Sequence, residues 1–262
     1  MKDLENSSNK IDLVMWTLNG EATLPFCLKS IENTMSTEYV GQKIIIDGGS
    51  VDDTEKICMG YGWNVINAKK RGIPFQANQA LNSVKSDFFA SFEQDIVLHH
   101  DWFKSIMKHF KNNKVAVAQG VRVAINPVLG AIDLYKLWYQ KGYSSLDNTV
   151  YRTSVIRELG GFNNKCVFGL DRELQTRVRL SGKVWVIDKG IVNQHLHSNL
   201  WKELKYEYKV ASLTDLGSKT INLKRLVFSP IRGLEIAFSQ KRPETVFYYP
   251  LLRLAKLGGT IN

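Results

Sequence analysis

The sequence predicts an α/β protein: a mostly parallel central sheet covered by helices, followed by a helical C-terminal extension. Three observations predict it. Short apolar runs alternate with helical patterns between Ile11 and Ile125. Strands joined by helices run parallel, because a parallel pair needs a crossover connection. Polar residues close three of the runs, at Thr17-Leu18-Asn19, at Asp47 and at Glu93-Gln94-Asp95. A parallel sheet gathers such ends on one rim, where ligands bind.

Taken in order, Ile11 to Thr17 reads as a buried strand that Asn19-Gly20 breaks. Leu24, Leu28 and Ile31 share one face of a helix over Glu21 to Asn33. Lys43 to Ile46 is a second strand, ending in Asp47-Gly48-Gly49-Ser50, and Asp52 and Asp53 offer N-caps to a helix over Thr54 to Tyr61. Trp63 to Ala68 is a third strand, Pro74 to Val84 a helix and Phe88 to Phe92 a fourth strand. His100 to Lys111 is an amphipathic helix and Val115 to Ile125 a fifth strand. The second half is less regular. Helices are expected over Val155 to Leu159 and Asp171 to Leu180, the latter closed by Gly182. A short strand over Val184 to Ile187 follows, then an extended segment with His195 and His197 on one side. Leu200 to Leu216 has helical potential, and Pro230, Pro243 and Pro250 break what remains.

The chain has 262 residues, 44% hydrophobic and 23% charged, which excludes disorder or collagen-like structure for most of its length. Three cysteines without a CxxC pair exclude a disulfide scaffold and a zinc ribbon, and suit a reducing compartment. Met1 to Lys10 lacks the apolar core of a signal peptide, and no run approaches the roughly 18 apolar residues of a membrane span. A soluble or peripheral cytoplasmic protein is expected. The net charge is +10, and the residues from Lys202 onward hold 11 basic against 5 acidic side chains. Such asymmetry suits an anionic partner, although a solvated basic face would look the same.

Three common signatures are missing: GxGxxG after the first strand, GxxxxGK[ST], and GxSxG. What remains is an acidic rim, which suits a hard divalent cation bridging to substrate phosphates. Glu93 and Asp95 lie two residues apart, on one side of an extended chain.

In this order the blocks resemble the family 2 glycosyltransferases. Thr17-Leu18-Asn19-Gly20-Glu21 resembles the family's opening Thr-Tyr-Asn-Glu block with an extra Gly. Ile44 to Thr54, through Asp47-Gly48-Gly49-Ser50 and Asp52-Asp53, resembles its Val-Val-Asp-Asp-Gly-Ser-x-Asp-x-Thr block. Gly72 to Asn78 resembles the segment before the acidic triplet, and Ser91-Phe92-Glu93-Gln94-Asp95 the DxD block. Gly160-Gly161-Phe162 and Gly169-Leu170-Asp171-Arg172-Glu173-Leu174 resemble the later Gly-Gly-Phe and Glu-Asp-x-Glu-Leu blocks, with Arg177 and Gly182 in matching places. The likeness spans Ile11 to His197. It departs from the family at Glu93, usually Asp, at Leu170, usually Glu, and at Ala77, where many members carry Arg.

The resemblance implies a GT-A type, Rossmann-like α/β/α sandwich. It implies a flexible N-terminus over 1–10 and a catalytic domain over 11–200, with a nucleotide-binding half over about 11–98 and an acceptor half over about 99–200. A basic helical extension occupies 201–262. It also implies transfer of a sugar from a nucleotide-diphosphate sugar, UDP-linked by preference, to a glycan or lipid-linked acceptor, with Mg²⁺ or Mn²⁺ and inversion. Thr17, Asn19, Glu21, Asp47, Asn78 and Glu93 would contact the donor nucleotide. Asp95 would hold the metal, completed by His197 or His195, with His197 the slightly better fit. Gly161 and Phe162 would lie on the acceptor and sugar side, and Asp171 would be the general base.

Plainer roles compete. Asp47 suits a turn before Gly-Gly, Asn19, Glu21 and Asp171 suit helix caps, and Asn78 suits an ordinary polar helix position. The basic, aromatic-rich extension suits an anionic membrane surface or a helical lid equally. Two rival functions stay open. One is a catalytically inactive relative acting as a binding module, which Glu93 and Leu170 would allow. The other is a basic nucleic-acid-binding α/β protein, although no recognition motif for nucleic acid is present.

Overall fold

The structure is a computed structural model and describes residues 10–139, 144–166, 168–213 and 219–261. The described residues form two compact units, one within 1–122 and 143–195, the other within 123–142 and 196–262.

The first unit is built on eight strands: β1 (Ile11–Thr17), β2 (Val40–Asp47), β3 (Asn64–Asn67), β4 (Phe88–Glu93), β5 (Ile96–Val97), β6 (Val115–Ala124), β7 (Asn148–Arg152) and β8 (Val184–His195). They lie in the order β3-β2-β1-β4-β7-β6-β8-β5. β1, β2, β3 and β4 pair in parallel. β7 is antiparallel to both β4 and β6, so β6 runs with the first four.

Period-two alternation gives the sheet two apolar faces. Leu13, Met15, Ile45, Ala90 and Phe92 face one core, which α1 (Leu24–Thr34), α2 (Thr54–Gly60) and α4 (Trp102–His109) close with Leu28, Cys58 and Trp102. Val14, Trp16, Ile44, Ile46 and Phe89 face the other core. That one is closed by α3 (Ile73–Ser83), α6 (Thr153–Glu158) and α7 (Leu170–Leu180), through Ala80, Ile156 and Leu174. The result is the expected α/β/α sandwich.

At the start of β1, Asp12 is buried and its carboxylate accepts from the backbone N–H groups of Gln42, Lys85 and Ser86 and from both side chains of Gln42 and Ser86. Burial alone would raise its pKa, but these bonds outweigh it and hold the carboxyl below the ordinary value. One charged group thus ties β1 to β2 and to the chain entering β4.

The second unit holds α5 (Pro127–Tyr139), α8 (Leu200–Leu213), α9 (Lys219–Val227), α10 (Ser229–Gln240) and α11 (Thr245–Ile261). Its core joins Ile132 and Tyr135 of α5 to Ile236 of α10 and to Tyr248, Tyr249 and Leu252 of α11. α8 and α11 pack closely where Gly259 has no Cβ, since one there would stand 2.2 Å from the Tyr208 carbonyl.

Several elements differ from the sequence reading. α5 and β7 were not anticipated. α5 is apolar on most of its circumference and shows little amphipathic period, and β7 is a short buried strand of mixed Asn-Thr-Val-Tyr-Arg composition. The expected boundary at 200 places residues 123–142 with the sheet, whereas α5 packs with the C-terminal helices. The short strand at Val184 continues to His195, so His195 ends a strand and His197 lies beyond it. Pro250 does not break the chain. α11 runs through it, although an interior proline costs a helix about 3 kcal/mol, and buries Tyr248 and Tyr249 just before it. The proposed flexible segment 1–10, Lys10 apart, and the end of the helix expected to Leu216 lie outside the described residues.

Candidate active site

Parallel register brings the strand ends to one level. Thr17 of β1 pairs with Asp47 of β2, Asp47 with Asn67 of β3, and Trp16 with Glu93 of β4. The loops that leave these strands lace together. Asn19 adopts a left-handed φ of 49°, its N–H donates to Ser50 Oγ, and its Oδ1 accepts from Val51 N–H at 3.0 Å. Glu21 N–H donates to Asp52 and Glu21 Oε2 accepts from Asp53 N–H, a reciprocal pair of links. Asp47 is buried, and its carboxylate accepts from the N–H groups of Gly49 and Ser50 and from Ser50 Oγ. Thr17 Oγ1 donates to Gln94 Oε1, which also accepts from Leu18 N–H. The four expected donor contacts Thr17, Asn19, Glu21 and Asp47 are therefore brought together, each already engaged by the loops. At the start of α2 the side chain that caps is Asp52, which accepts from Thr54 N–H at 3.1 Å, while Asp53 stands at the cap without such a bond.

Asn78 does something different. Its amide donates to the Phe162 carbonyl at 2.6 Å and accepts from Phe162 N–H at 2.8 Å, which pins the Gly160-Gly161-Phe162 turn to α3. Gly161 has φ 74°, and a Cβ there would stand 2.5 Å from Asn78 Oδ1. Arg177 secures the same turn from α7, donating to the Leu159 and Gly161 carbonyls while its fork grips Glu173. Phe162, expected on the acceptor side, is 2% exposed and packs edge-on to Trp16 and Tyr151. Its side chain belongs to the core, so it supports the turn from beneath.

The acidic triplet is placed by the sheet. Glu93 ends β4, Asp95 sits in the turn that follows, and the antiparallel β5–β8 ladder sets Ile96 opposite His195. That register carries Asp95 Oδ2 to 3.1 Å from His195 Nε2. Burial works against the charge on Asp95, but His195 and Arg122 outweigh it and hold its carboxyl below the ordinary value. Burial raises the Glu93 carboxyl to about 7; Arg122 and His195 pull against it, while Asp147 and Asp95 add to it. Arg122 of β6 reaches both carboxylates of a pair, Glu93 Oε2 at 3.3 Å and the buried Asp147. Asn148 Nδ2 donates to Asp147 at 2.6 Å and fixes it in turn.

His197 has another partner. Its Nε2 lies 3.1 Å from Glu203 of α8, within the second unit. Among the described residues, one group of three side chains has its ligand atoms within 4.8 Å of one another: His99, His100 and Asp101, consecutive and ahead of α4.

Asp171 is the second residue of α7, half-buried, and accepts from Ser144 Oγ at 2.8 Å. The helix cap is Gly169 at φ 72°, so Asp171 is not an N-cap residue. Leu170, beside it, is buried in the core. Asp171 and Asp147 both act electrostatically on the buried Tyr151 hydroxyl, whose pKa burial raises first.

The sequence reading missed Gln94, Arg122 and Asp147. Arg122 had a signal: a cation inside the apolar run of β6 requires a buried counter-charge. Asp147 had none, because Ser144 to Asn148 reads as a loop.

A parallel α/β sheet with an acidic rim, a carboxylate–imidazole pair and a further carboxylate at a helix start defines a GT-A type fold with the layout of a nucleotide-sugar transferase. The chain belongs to glycosyl transferase family 2, whose sequence profile matches residues 12–174. No curated protein matches it significantly in sequence. Among solved structures it is similar to glucosyl-3-phosphoglycerate synthase from Mycobacterium tuberculosis in complex with Mn²⁺, UDP and glucosyl-3-phosphoglycerate, with 18% identity over 78% of each chain and a TM-score of 0.57. It is also similar to a mannosyltransferase from Pyrobaculum calidifontis in complex with GDP-Man and Mn²⁺, with 13% identity over 95% of this chain and 74% of that one and a TM-score of 0.62. The S. aureus protein TarS matches at 14% identity over 87% of this chain and 44% of its own, with a TM-score of 0.57.

Proposed function

We propose that the protein transfers a sugar from a nucleotide-diphosphate sugar to a hydroxyl of a glycan or lipid-linked acceptor, with a divalent cation and with inversion at the anomeric carbon. The observation that carries this reading is the Asp95–His195 pair beside Glu93 on the rim of the sheet. Their side chains bring a carboxylate oxygen and an imidazole nitrogen together at 3.1 Å, the two donors that would hold the ion. The set combines carboxylate oxygen with imidazole nitrogen, which suits Mn²⁺ and tolerates Mg²⁺. Asp95 with His195 would hold the ion, and Glu93, steadied by Arg122, would border the donor. Bound there, the cation would neutralise charge on the leaving diphosphate.

Asp47, Asn19 and Glu21 would form the nucleotide side of the cleft, their loops fixed before the donor arrives. That pre-ordering lowers the entropy lost on binding. Asp171 would take the proton of the acceptor hydroxyl as its oxygen attacks the anomeric carbon and the nucleotide diphosphate departs from the opposite face. Ser144 Oγ, bonded to one oxygen of Asp171, would orient the carboxylate. A UDP-linked donor is favoured by the family resemblance, and the similar structures hold UDP in one case and GDP-Man in another. The eleven basic residues from Lys202 onward support an acceptor at an anionic membrane face. Among the described residues no helix is long and apolar enough to cross a membrane.

Thermal unfolding with a panel of nucleotides and nucleotide sugars, with and without Mn²⁺, tests the reading. A ligand bound only by the native state raises the midpoint in step with its affinity. A Mn²⁺-dependent rise with one nucleotide class is expected. No rise with any of them would overturn it.

A further inference from the structure

α10 is apolar on two faces. Ser229, Gly233 and Ile236 are buried against the helices of its own unit. Ile231, Leu234 and Phe238, at i, i+3 and i+7, form a second stripe, and it is exposed, Phe238 by 82%. Val227 and Phe228, 64% and 63% exposed, extend it back to the end of α9, where Leu223 is exposed as well. Both ends of the stripe are basic. Lys224 and Arg225 lie in the last turn of α9, and Lys241 and Arg242 follow α10, all exposed. Between Lys224 and Arg242 the chain has one acidic residue, Glu235, which is occupied by Arg232 and by the Tyr135 hydroxyl. A contiguous exposed apolar stripe with a charged rim marks an interaction site.

We infer that the α9–α10 segment is a docking surface for an anionic lipid bilayer, with Phe228, Ile231, Leu234 and Phe238 entering the headgroup boundary and the flanking lysines and arginines on lipid phosphates. Charge decides between occupants. A second copy meeting this face symmetrically would set basic ends against basic ends, which repels, whereas an anionic surface neutralises them. A stripe this short cannot span a bilayer but suits one leaflet's interface. The inference names the surface behind the membrane-side acceptor proposed above and rests on that part of the reading. Its test does not use catalysis.

The experiment is flotation of the full chain with vesicles of phosphatidylcholine alone and of phosphatidylcholine mixed with phosphatidylglycerol. Binding to the mixed vesicles only, weakened by salt, is expected. The doubly substituted Ile231→Ser/Phe238→Ser chain and the doubly substituted Lys241→Gln/Arg242→Gln chain should each lose about tenfold or more in partitioning. Both should keep the wild-type circular dichroism and the wild-type nucleotide-induced rise in melting temperature, since every changed side chain is exposed. Flotation unaltered in both variants would overturn the inference. So would failure of the wild type to float, with or without a concentration-dependent dimer that the Ile231→Ser/Phe238→Ser change dissolves. If flotation succeeds while no nucleotide stabilises the chain, the surface stands and the catalytic reading falls.

Discussion

Six carboxylates of the sheet unit fall into two groups. Asp12, Asp47 and Asp52 have closed partner sets, each accepting from N–H and hydroxyl groups of nearby loops. Glu93, Asp95 and Asp171 are held by a guanidinium, an imidazole and one serine hydroxyl, and each stays part-exposed. The first group spends its hydrogen-bonding capacity on the fold, Asp47 and Asp52 at the rim and Asp12 at the opposite end of β1. The second leaves carboxylate surface open to solvent, where a ligand would reach it. Sequence position alone does not separate them, because both groups stand at strand ends or helix starts.

Substitutions should sort the same way. The largest effect is expected for Asp171→Asn, which removes the proposed base but keeps the shape. Turnover should fall about a thousandfold for a hydroxyl acceptor, with the nucleotide-induced melting shift unchanged; a kinetic assay beside a melt reads both. An acceptor that is already an anion would lose little, and that result would place Asp171 outside proton transfer.

Asp12→Asn comes next and should act on stability alone, by about 2 kcal/mol, since charge-assisted bonds are the strong ones. The sign of its pH dependence follows from a folded-state pKa lowered from 3.8. Its contribution is present above that ordinary value and is lost as pH falls through the lower, folded value. Urea melts across the acid range should therefore show a flatter dependence in Asp12→Asn than in the wild type.

Asp47→Ala sharpens the contrast, because Asp47 holds its loop and is also expected at the nucleobase. A loss of about 1–2 kcal/mol in stability is expected from the orphaned Gly49 and Ser50 groups, together with weaker nucleotide binding. Loss of stability without loss of binding would move Asp47 wholly into the first group. Glu21→Gln should do least, within about 0.5 kcal/mol, as its bond to Asp53 N–H is exposed and survives the change.

Much of this was legible in the sequence where local rules and tertiary packing agree. β1, β2 and β4 are apolar runs ended by polar residues, and in the structure they are neighbours with aligned ends. The Asp95–His195 contact was half legible. Both residues drew attention, but only the β5–β8 register makes them partners, and that pairing joins segments 100 positions apart. The Asn78 contact was illegible for a related reason, since its partner is a turn 84 residues away. β7 and α5 were invisible because neither has the alternation or amphipathic period by which a short element announces itself. Asp147 stayed hidden with them, and so did the reason for Arg122.

Asp95 with His195 is proposed as the metal-dependent half of the site, while Asp47 holds its own loop. The direct measurement is Mn²⁺ titration, followed by the loss of the free-ion electron paramagnetic resonance signal, in the presence of whichever nucleotide stabilises the protein. The wild type and Asp47→Asn should both take up the ion, and Asp95→Asn should not, while keeping the wild-type fold by circular dichroism. Uptake by Asp95→Asn equal to that of the wild type would contradict the account.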